Sequence, residues 1–307
     1  MTSSSDSDRP ADDKHGLFEM GLLIIAAELL YILFAFWGNR SNTGMSTPSL
    51  FVWVGRQWIA DGGDFSHGWI MPLVSLGVVW MKRKELAAAR AKQSYIGLFV
   101  LLFSLVLHWA ALRAQQPRVS LVAFVGVIWS IPFFLYGRKV AGMLLFPAGY
   151  LLLCFTSYLL ISFTMSLRLA SCAVSCGLLN GLGITSVRNG TAIYSAAAGG
   201  FNFDVADPCS GLRSLVVMTA LAAPYAYFTQ KSQIKRWVLF ALSVPLAMMA
   251  NITRIVTIAV VAEMFGKEIA VSIYHDYSGY LVFAVATMLM VSAGQLLNRI
   301  KVREVSE

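Results

Sequence analysis

The residues best suited to covalent chemistry lie in the segment Asp207-Pro208-Cys209-Ser210-Gly211. Asp followed by Pro is a pattern that opens a helix, because Asp caps free N–H groups and Pro is tolerated at the first helical position. Cys209 then falls in the first turn, where the positive end of the helix dipole favours a thiolate. Ser210 and Gly211 offer backbone N–H groups for an oxyanion. The pattern predicts a cysteine nucleophile; the alternative interpretation is a small buried apolar residue.

A second candidate group is Arg254, which interrupts an apolar run that is predicted to cross the membrane from Trp237 to Phe265. An arginine in such a run is costly unless it has a partner or reaches water. The helix from Trp237 to Arg254 covers about 26 Å of a hydrocarbon core that is about 30 Å thick. Arg254 is therefore expected near the outer boundary, level with Cys209, and Asn251 shares its face of the helix. The alternative is an arginine that extends to lipid headgroups.

The third group, His275, stands at the start of the last predicted span, His275–Leu297. Imidazole exchanges protons near neutral pH and suits a general acid and base. Together, Cys209 can attack a carbonyl, Arg254 can stabilise the oxyanion, and His275 can protonate the leaving amine. Arg213, one turn further into its helix than Cys209, is predicted to support the thiolate or to pair with Asp207 or Asp204. The alternative for His275 is a histidine at the membrane interface with a single hydrogen bond.

The chain that carries these groups has the composition of a membrane protein. Of its 307 residues, 57% are apolar and 13% are charged, whereas soluble domains average roughly 45–50% apolar and about 25% charged. This excludes an ordinary soluble enzyme, a disordered protein and a nucleic-acid binder. The net charge of +8 is interpreted as a topology signal. The scattered cysteines give neither a disulfide framework nor a zinc site, and no cofactor or metal is predicted.

Apolar segments of suitable length predict an all-α integral membrane protein, a polytopic bundle of about eight transmembrane helices with its active site on the extracytoplasmic side. The approximate bounds of these segments are 17–37, 68–81, 95–112, 119–136, 140–158, 209–228, 237–265 and 275–297. Residues 39–67 are predicted to form an interfacial loop with a short amphipathic helix. Residues 159–208 are predicted to form an interfacial helix and then an extended exposed segment.

The distribution of basic residues predicts the orientation of these spans. With both termini in the cytoplasm, 15 of the 24 Lys and Arg residues fall on the inner side, as the positive-inside rule requires. We therefore predict a multi-pass protein of the inner membrane. Residues 1–16, rich in Ser and Asp, are predicted to be a disordered cytoplasmic tail. Residues 17–298 form the predicted membrane domain, and residues 299–307 a second cytoplasmic tail.

The chain resembles the exosortase/archaeosortase family. The resemblance rests on Cys209-Ser210-Gly211-Leu212-Arg213, on Asn251-x-x-Arg254-Ile255, on His275 followed by Ser278-Gly279, and on Asp64-Phe65-Ser66-His67-Gly68 ahead of an apolar span and a basic stop. It covers nearly the whole chain after residue 16 and is most specific over residues 205–283.

This resemblance implies a membrane cysteine protease or transpeptidase in which Cys209 is the nucleophile, Arg254 the stabiliser and His275 the acid and base. It also implies that the substrates are exported proteins with a C-terminal sorting signal of the PEP-CTERM kind. Such a signal is a short motif, often Pro-Glu-Pro, then a transmembrane helix and a basic tail. The expected partners are these proteins and the lipid bilayer, with surface-polymer biosynthesis machinery as a further candidate and no nucleic acid.

Two other classes of function stay open at this point. A polytopic chain with Glu28 inside its first span is compatible with a transporter or flippase for a lipid-linked sugar, which would have functional residues near the membrane midplane. A non-catalytic assembly factor for surface-polymer export is the third hypothesis, under which Cys209→Ser would be nearly silent. The polar cluster expected at the outer surface favours the peptidase.

Overall fold

The computed structural model describes residues 9–39, 47–59, 66–89, 92–153, 157–196, 201–204, 212–270 and 275–300. The described part is mostly helical. Its α-helices are α1 (Arg9–Phe36), α2 (Leu50–Ile59), α3 (Ile70–Met81), α4 (Arg83–Ala88), α5 (Tyr95–Arg113), α6 (Pro117–Leu153), α7 (Ser157–Gly181), α8 (Leu212–Thr229), α9 (Gln233–Phe265), α10 (Lys267–Ile269) and α11 (His275–Arg299). A 3₁₀ turn over Ser66–Trp69 precedes α3, and strands β1 (Ser186–Asn189), β2 (Ala192–Ser195) and β3 (Asn202–Asp204) lie between α7 and α8.

Several helices have the length and composition of membrane spans. In the described residues, Tyr95–Arg113, Pro117–Leu153, Gln233–Phe265 and Gly279–Arg299 are long and apolar enough to cross a bilayer, and Ile24–Phe36, Ile70–Met81 and Leu215–Thr229 are shorter apolar helices. This agrees with a helical protein that crosses the membrane several times. The total of eight spans stays a prediction.

Helix α6 is two helices joined by a sharp break. Gly137 has φ 83° and ψ −174°, a backbone conformation that glycine adopts readily and other residues rarely do. The indole Nε1 of Trp129 donates to the carbonyl of Ala141 at 2.9 Å, 12 residues away. In a straight helix that separation would be about 18 Å, so the chain must turn back at Gly137. Residues 117–136 and 138–153 are therefore separate segments, as the sequence predicts.

The structure divides into two compact units, Met1–Ala60 with Val79–Leu152, and Asp61–Val78 with Leu153–Glu307. A buried hydrogen-bond chain holds the first unit together. Ser120 Oγ donates to the carbonyl of Gly38 and is 2.9 Å from His108 Nδ1. The ring of Phe34 packs on the His108 imidazole with centroids 4.4 Å apart. Since His108 is buried in this core, the structure supports a packing role for it.

Helices α5 and α6 approach each other closely at Gly97, which gives a test of how the first unit packs. A Cβ built at Gly97 would lie 2.6 Å from the Phe134 Cα, so Gly97→Ala forces the helices apart. We expect this variant to lose about 1–3 kcal/mol of stability, seen as a lower Tm in detergent. The control is Gly142→Ala, because a Cβ there meets nothing within 4 Å. Equal Tm values for the two variants would contradict this packing.

The second unit contains a bundle in which α9 contacts α8, α11 and α7. The shared core of α8, α9 and α11 consists of Leu215, Met218, Ala222, Ala226, Leu239, Ala247, Ala286 and Met290. At one end of this core, Gly294 of α11 lies against the ring of Tyr225, whose hydroxyl donates to the Val291 carbonyl at 3.1 Å. The small residue at 294 therefore serves packing within the bundle.

A small sheet packs on the C-terminal half of α9 together with α7. Its strands are antiparallel in the order β1-β2-β3. Ile193 of β2 is fully buried with Leu179 of α7 and with Ile255 and Ala259 of α9. The thiols of Cys172 and Cys176 contact the backbone carbonyls of Thr191 and Ser186, each at 3.4 Å. These cysteines thus pack against the sheet.

Parts of the predicted fold need correction. The predicted helical fold is confirmed in its main part, but residues predicted as an extended exposed segment add a small three-stranded sheet to it. The helix before it is the 25-residue α7, which packs along α9, and its position at the membrane interface stays a prediction. Helix α1 begins at Arg9, although residues 1–16 were expected to be disordered. Pro10 and the acidic residues that follow suit a first helical turn. A short helix in the 39–67 loop is confirmed as α2.

Candidate functional site

Arg254 lies on the face of α9 that packs within the second unit. Asn251 and Ile255, on either side of it, are 4% and 3% exposed, and the Arg254 side chain itself is half-buried. One buried polar and one buried apolar neighbour therefore pack this part of α9 into the unit. The position fits the sequence argument, in which a buried arginine in an apolar helix must serve a charged or polar partner.

The guanidinium of Arg254 rests on the first turns of α11. A Cβ built at Gly279 would meet Arg254 Cζ at 3.4 Å, Nη2 at 3.5 Å and Nη1 at 3.7 Å. The planar group therefore lies across a position that has no side chain. His275 begins α11 one turn earlier, on the same face of the helix as Gly279 and about 6 Å along its axis. The structure brings Arg254 to the turn that His275 opens.

Helices α8 and α11 run alongside each other in the same direction. Thr287 Oγ1 lies 3.9 Å from Met218 Sδ, and further along both helices Tyr225 Oη donates to the Val291 carbonyl and Gln230 Nε2 to the Gly294 carbonyl. Both helices therefore begin at the same end of the bundle, α8 at Leu212 and α11 at His275.

The nucleophile predicted from the sequence, Cys209, lies outside the described residues. It precedes Leu212, the first residue of α8, by three residues in the sequence. Ser210 and Gly211 also lie outside the described residues. Arg213 is in the first turn of α8, and its side chain is outside the described part, as is that of His275.

Asn251 offers an unused hydrogen-bond acceptor beside Arg254. Its side chain is 4% exposed, and its Oδ1 has no hydrogen-bond partner among the described residues. Buried amide oxygens normally accept a hydrogen bond. We therefore expect a donor from the undescribed segments or from a bound substrate, which supports a place for Asn251 in the site.

Two features of this region were not predicted as parts of the site. Gly279 was named only as part of the family pattern, because a residue without a side chain carries no chemistry of its own. The sheet that packs beside Ile255 was predicted as exposed chain. Among the residues with described side chains, no three His, Cys, Asp or Glu form a group that would hold a metal ion.

Comparison with known protein families gives a match over most of the chain. A family model described as transmembrane exosortase matches residues 58–292, more than three quarters of the chain and the whole region discussed above. Among curated proteins and among solved structures, no chain matches this one.

Proposed function

The chain belongs to the transmembrane exosortase family, and we propose that it is a cysteine peptidase or transpeptidase that removes C-terminal sorting signals from exported proteins. The observation that carries this proposal is the guanidinium of Arg254 on Gly279, one turn after His275. Helix α8, whose first residue follows Cys209 by three positions, begins at the same end of the bundle as α11. We propose that Cys209, Arg254 and His275, three groups suited to acyl transfer, meet at this end.

The proposed reaction has two halves. The thiolate of Cys209 attacks the carbon of the scissile carbonyl, and the π electron pair of the C=O bond moves onto the carbonyl oxygen. Arg254 donates hydrogen bonds to this oxyanion. When the intermediate collapses, the C–N bond breaks, His275 protonates the departing amine, and a thioester to Cys209 forms. His275 then removes a proton from water or an acceptor amine, which attacks the thioester. The C–S bond breaks, and the Cys209 thiolate and the protonated His275 are restored.

The buried neighbours of Arg254 explain why this arrangement would be catalytic. A guanidinium held by packing needs little reorganisation energy when charge develops on the substrate, and its planar donors suit an oxyanion. Asn251 is proposed to fix the segment around Cys209 or the substrate through its unused acceptor. Ser210 and Gly211 are proposed to add backbone donors, and Arg213 to support the thiolate.

The proposed substrate follows from the site's membrane level. With the N-terminus in the cytoplasm, α9 runs outward, and Arg254 is then near the outer surface of the inner membrane. A signal made of a short motif, a transmembrane helix and a basic tail would present its motif at that surface. The proposed partners are therefore exported proteins with PEP-CTERM-like signals, and surface-polymer machinery is a proposed associate.

Enlarging Gly279 tests the contact with Arg254. Gly279→Ala adds a methyl group at ordinary contact distance, 3.4 Å from Arg254 Cζ, and is expected to change kcat by no more than about 3-fold. Gly279→Leu has no room under the guanidinium and is expected to lower kcat by about 10- to 100-fold, because Arg254 is displaced from the oxyanion. The measurement is cleavage of a signal peptide by the full chain in lipid vesicles.

The control for Gly279→Leu is Gly177→Leu in α7, where a Cβ meets nothing within 4 Å. This variant makes the same change in the same unit, and it is expected to keep its kcat. If Gly279→Leu and Gly177→Leu have equal kcat values, the contact between Arg254 and Gly279 has no catalytic role.

The proposed function is tested by an inventory of C-termini. Exported proteins of the host are compared by mass spectrometry with the chain present, deleted, or deleted and restored from a plasmid. The expected result is that hydrophobic tails with basic ends persist only in the deletion and disappear on restoration. An unchanged inventory would contradict the proposal and favour a transporter or an assembly factor.

A further inference from the structure

The two edges of the small sheet use their backbone groups differently. β1 forms one edge and β3 the other. At the β1 edge, the Ser186 N–H donates to Asn180 Oδ1 at 2.7 Å, and Asn180 Nδ2 donates to the Ser186 carbonyl at 3.1 Å. A side-chain amide therefore occupies the place of a neighbouring strand. This contact closes the β1 edge against further pairing at Ser186.

The edge of β3 has no such cover within the described residues. The Ser195 N–H donates to the Phe201 carbonyl at 2.8 Å, which identifies a hydrogen-bonded pair of the ladder. Hydrogen-bonded and non-hydrogen-bonded pairs alternate in antiparallel strands, and the register continues through β3. Phe203 thus directs its backbone groups toward β2. Asn202 and Asp204 direct theirs away from the sheet, where they can pair with another chain.

The sheet packs on α9, the helix that carries Arg254. Ile193 is 0% exposed and Phe201 is 3% exposed, and both pack in one core with Ile255 and Ala259 of α9. Ile255 is the residue that follows Arg254. A chain bound along β3 would therefore be held in a fixed relation to α9.

We propose that the β3 edge binds the extended residues of the sorting signal as a fourth strand, which presents the scissile bond to Cys209. Cys209 follows Asp204 by five residues, a length that spans at most about 18 Å. A short extended motif ahead of a transmembrane helix matches this edge, because strand addition gains affinity from the peptide backbone and specificity from alternate side chains. The inference rests on the proposed function, since it gives the signal of that reaction its binding surface.

Backbone methylation of the substrate tests strand addition without changing the enzyme. The probe is a synthetic peptide with the C-terminal signal of an exported protein found in the inventory, supplied to the full native chain in lipid vesicles. Single N-methyl groups are placed at each position of the extended motif. Since only alternate residues of an added strand pair with β3, we expect KM to rise about 10-fold at alternate positions and little between them.

A KM profile without this alternation would overturn the proposal. Failure of the native chain to cleave the unmodified peptide would instead contradict the proposed function, so the two failures are distinguishable. N-methylation also restricts the peptide backbone, but that effect does not follow a two-residue period.

A pair of proline variants tests the same edge from the enzyme side. Asn202→Pro removes an N–H that points away from the sheet and leaves the ladder bonds of Phe201 and Phe203 intact. The control is Arg188→Pro, because the register with β2 also directs the Arg188 N–H outward, on the opposite edge. We expect Asn202→Pro to raise KM about 10-fold with kcat retained, and Arg188→Pro to keep the native KM.

The two tests are combined to separate lost pairing from a folding defect. With the Asn202→Pro variant, methylation of the peptide at a sensitive position is expected to raise KM by a smaller factor than it does with the native chain, since the strand pairing is already weakened. Equal KM values for the two proline variants, or fully additive losses, would contradict binding at β3.

Discussion

Cys209→Ala is expected to abolish removal of C-terminal signals, with kcat lower by about 10⁴-fold or more. In the proposed reaction no thioester forms without this thiol, because Arg254 acts only as an oxyanion donor and His275 only as an acid and base. The measurement is release of the signal from a reconstituted substrate by the full chain in vesicles, followed by mass spectrometry of both products. The native chain should also give a mass increase from the acyl intermediate when acceptor attack is slow, and the variant should give none.

The control for this prediction is Cys176→Ala. Cys176 is in the same unit, and its thiol contacts the Ser186 carbonyl at 3.4 Å, so the variant removes a sulfur that packs against the sheet. It is expected to keep kcat within about 3-fold. Both variants are compared at equal membrane levels. Processing by Cys209→Ala at the native rate would show that this thiol is not the nucleophile.

The segments that sequence could predict are those whose local chemistry decides their structure. Long apolar runs form helices because every backbone group must be satisfied without water, and α5, α9 and α11 follow the expected bounds closely. The break in α6 was also predictable. Gly137 is followed by two basic residues, and a glycine beside charges interrupts an apolar helix.

The sheet and α7 could not be predicted in the same way. The strands have three or four residues, too few for a periodic pattern to stand out. The polar residues of α7 lowered its apparent membrane character, but Asn180 serves the sheet, where it pairs with both backbone groups of Ser186. The strands and α7 owe their environment to tertiary packing, which the local sequence does not reveal.

The candidate site, like the fold, could be predicted only in part from the sequence. Counting helical residues predicted a level for Arg254 near the outer boundary, and in the structure its guanidinium contacts Gly279, one turn after the start of α11. The contact between the guanidinium and Gly279 was not predictable, since glycine makes room for it only by having no side chain. The roles of Cys209 and His275 stay predictions.

Arg254→Lys is expected to lower kcat by about 10²–10³-fold while the chain still inserts and folds. Lysine keeps the positive charge, but it is a single ammonium group without the planar pair of donors that lies across Gly279. Charge alone would then leave the oxyanion poorly stabilised. The measurement is kcat and KM for a signal peptide in vesicles, and the loss should fall on kcat, because the oxyanion exists only in the transition state and the intermediate.

The matched control is Arg236→Lys, which makes the same change on the same helix. Arg236 stacks over the ring of Tyr227 at 4.9 Å and donates to the Gln230 carbonyl, contacts far from the candidate site, so its kcat is expected to be native. A second comparison uses Gly279→Leu, which acts through the guanidinium. Its effect should nearly vanish in the Arg254→Lys background, since the group it displaces is already gone. If the two losses instead multiply, Gly279 and Arg254 act independently, and the oxyanion must be stabilised by donors other than this arginine.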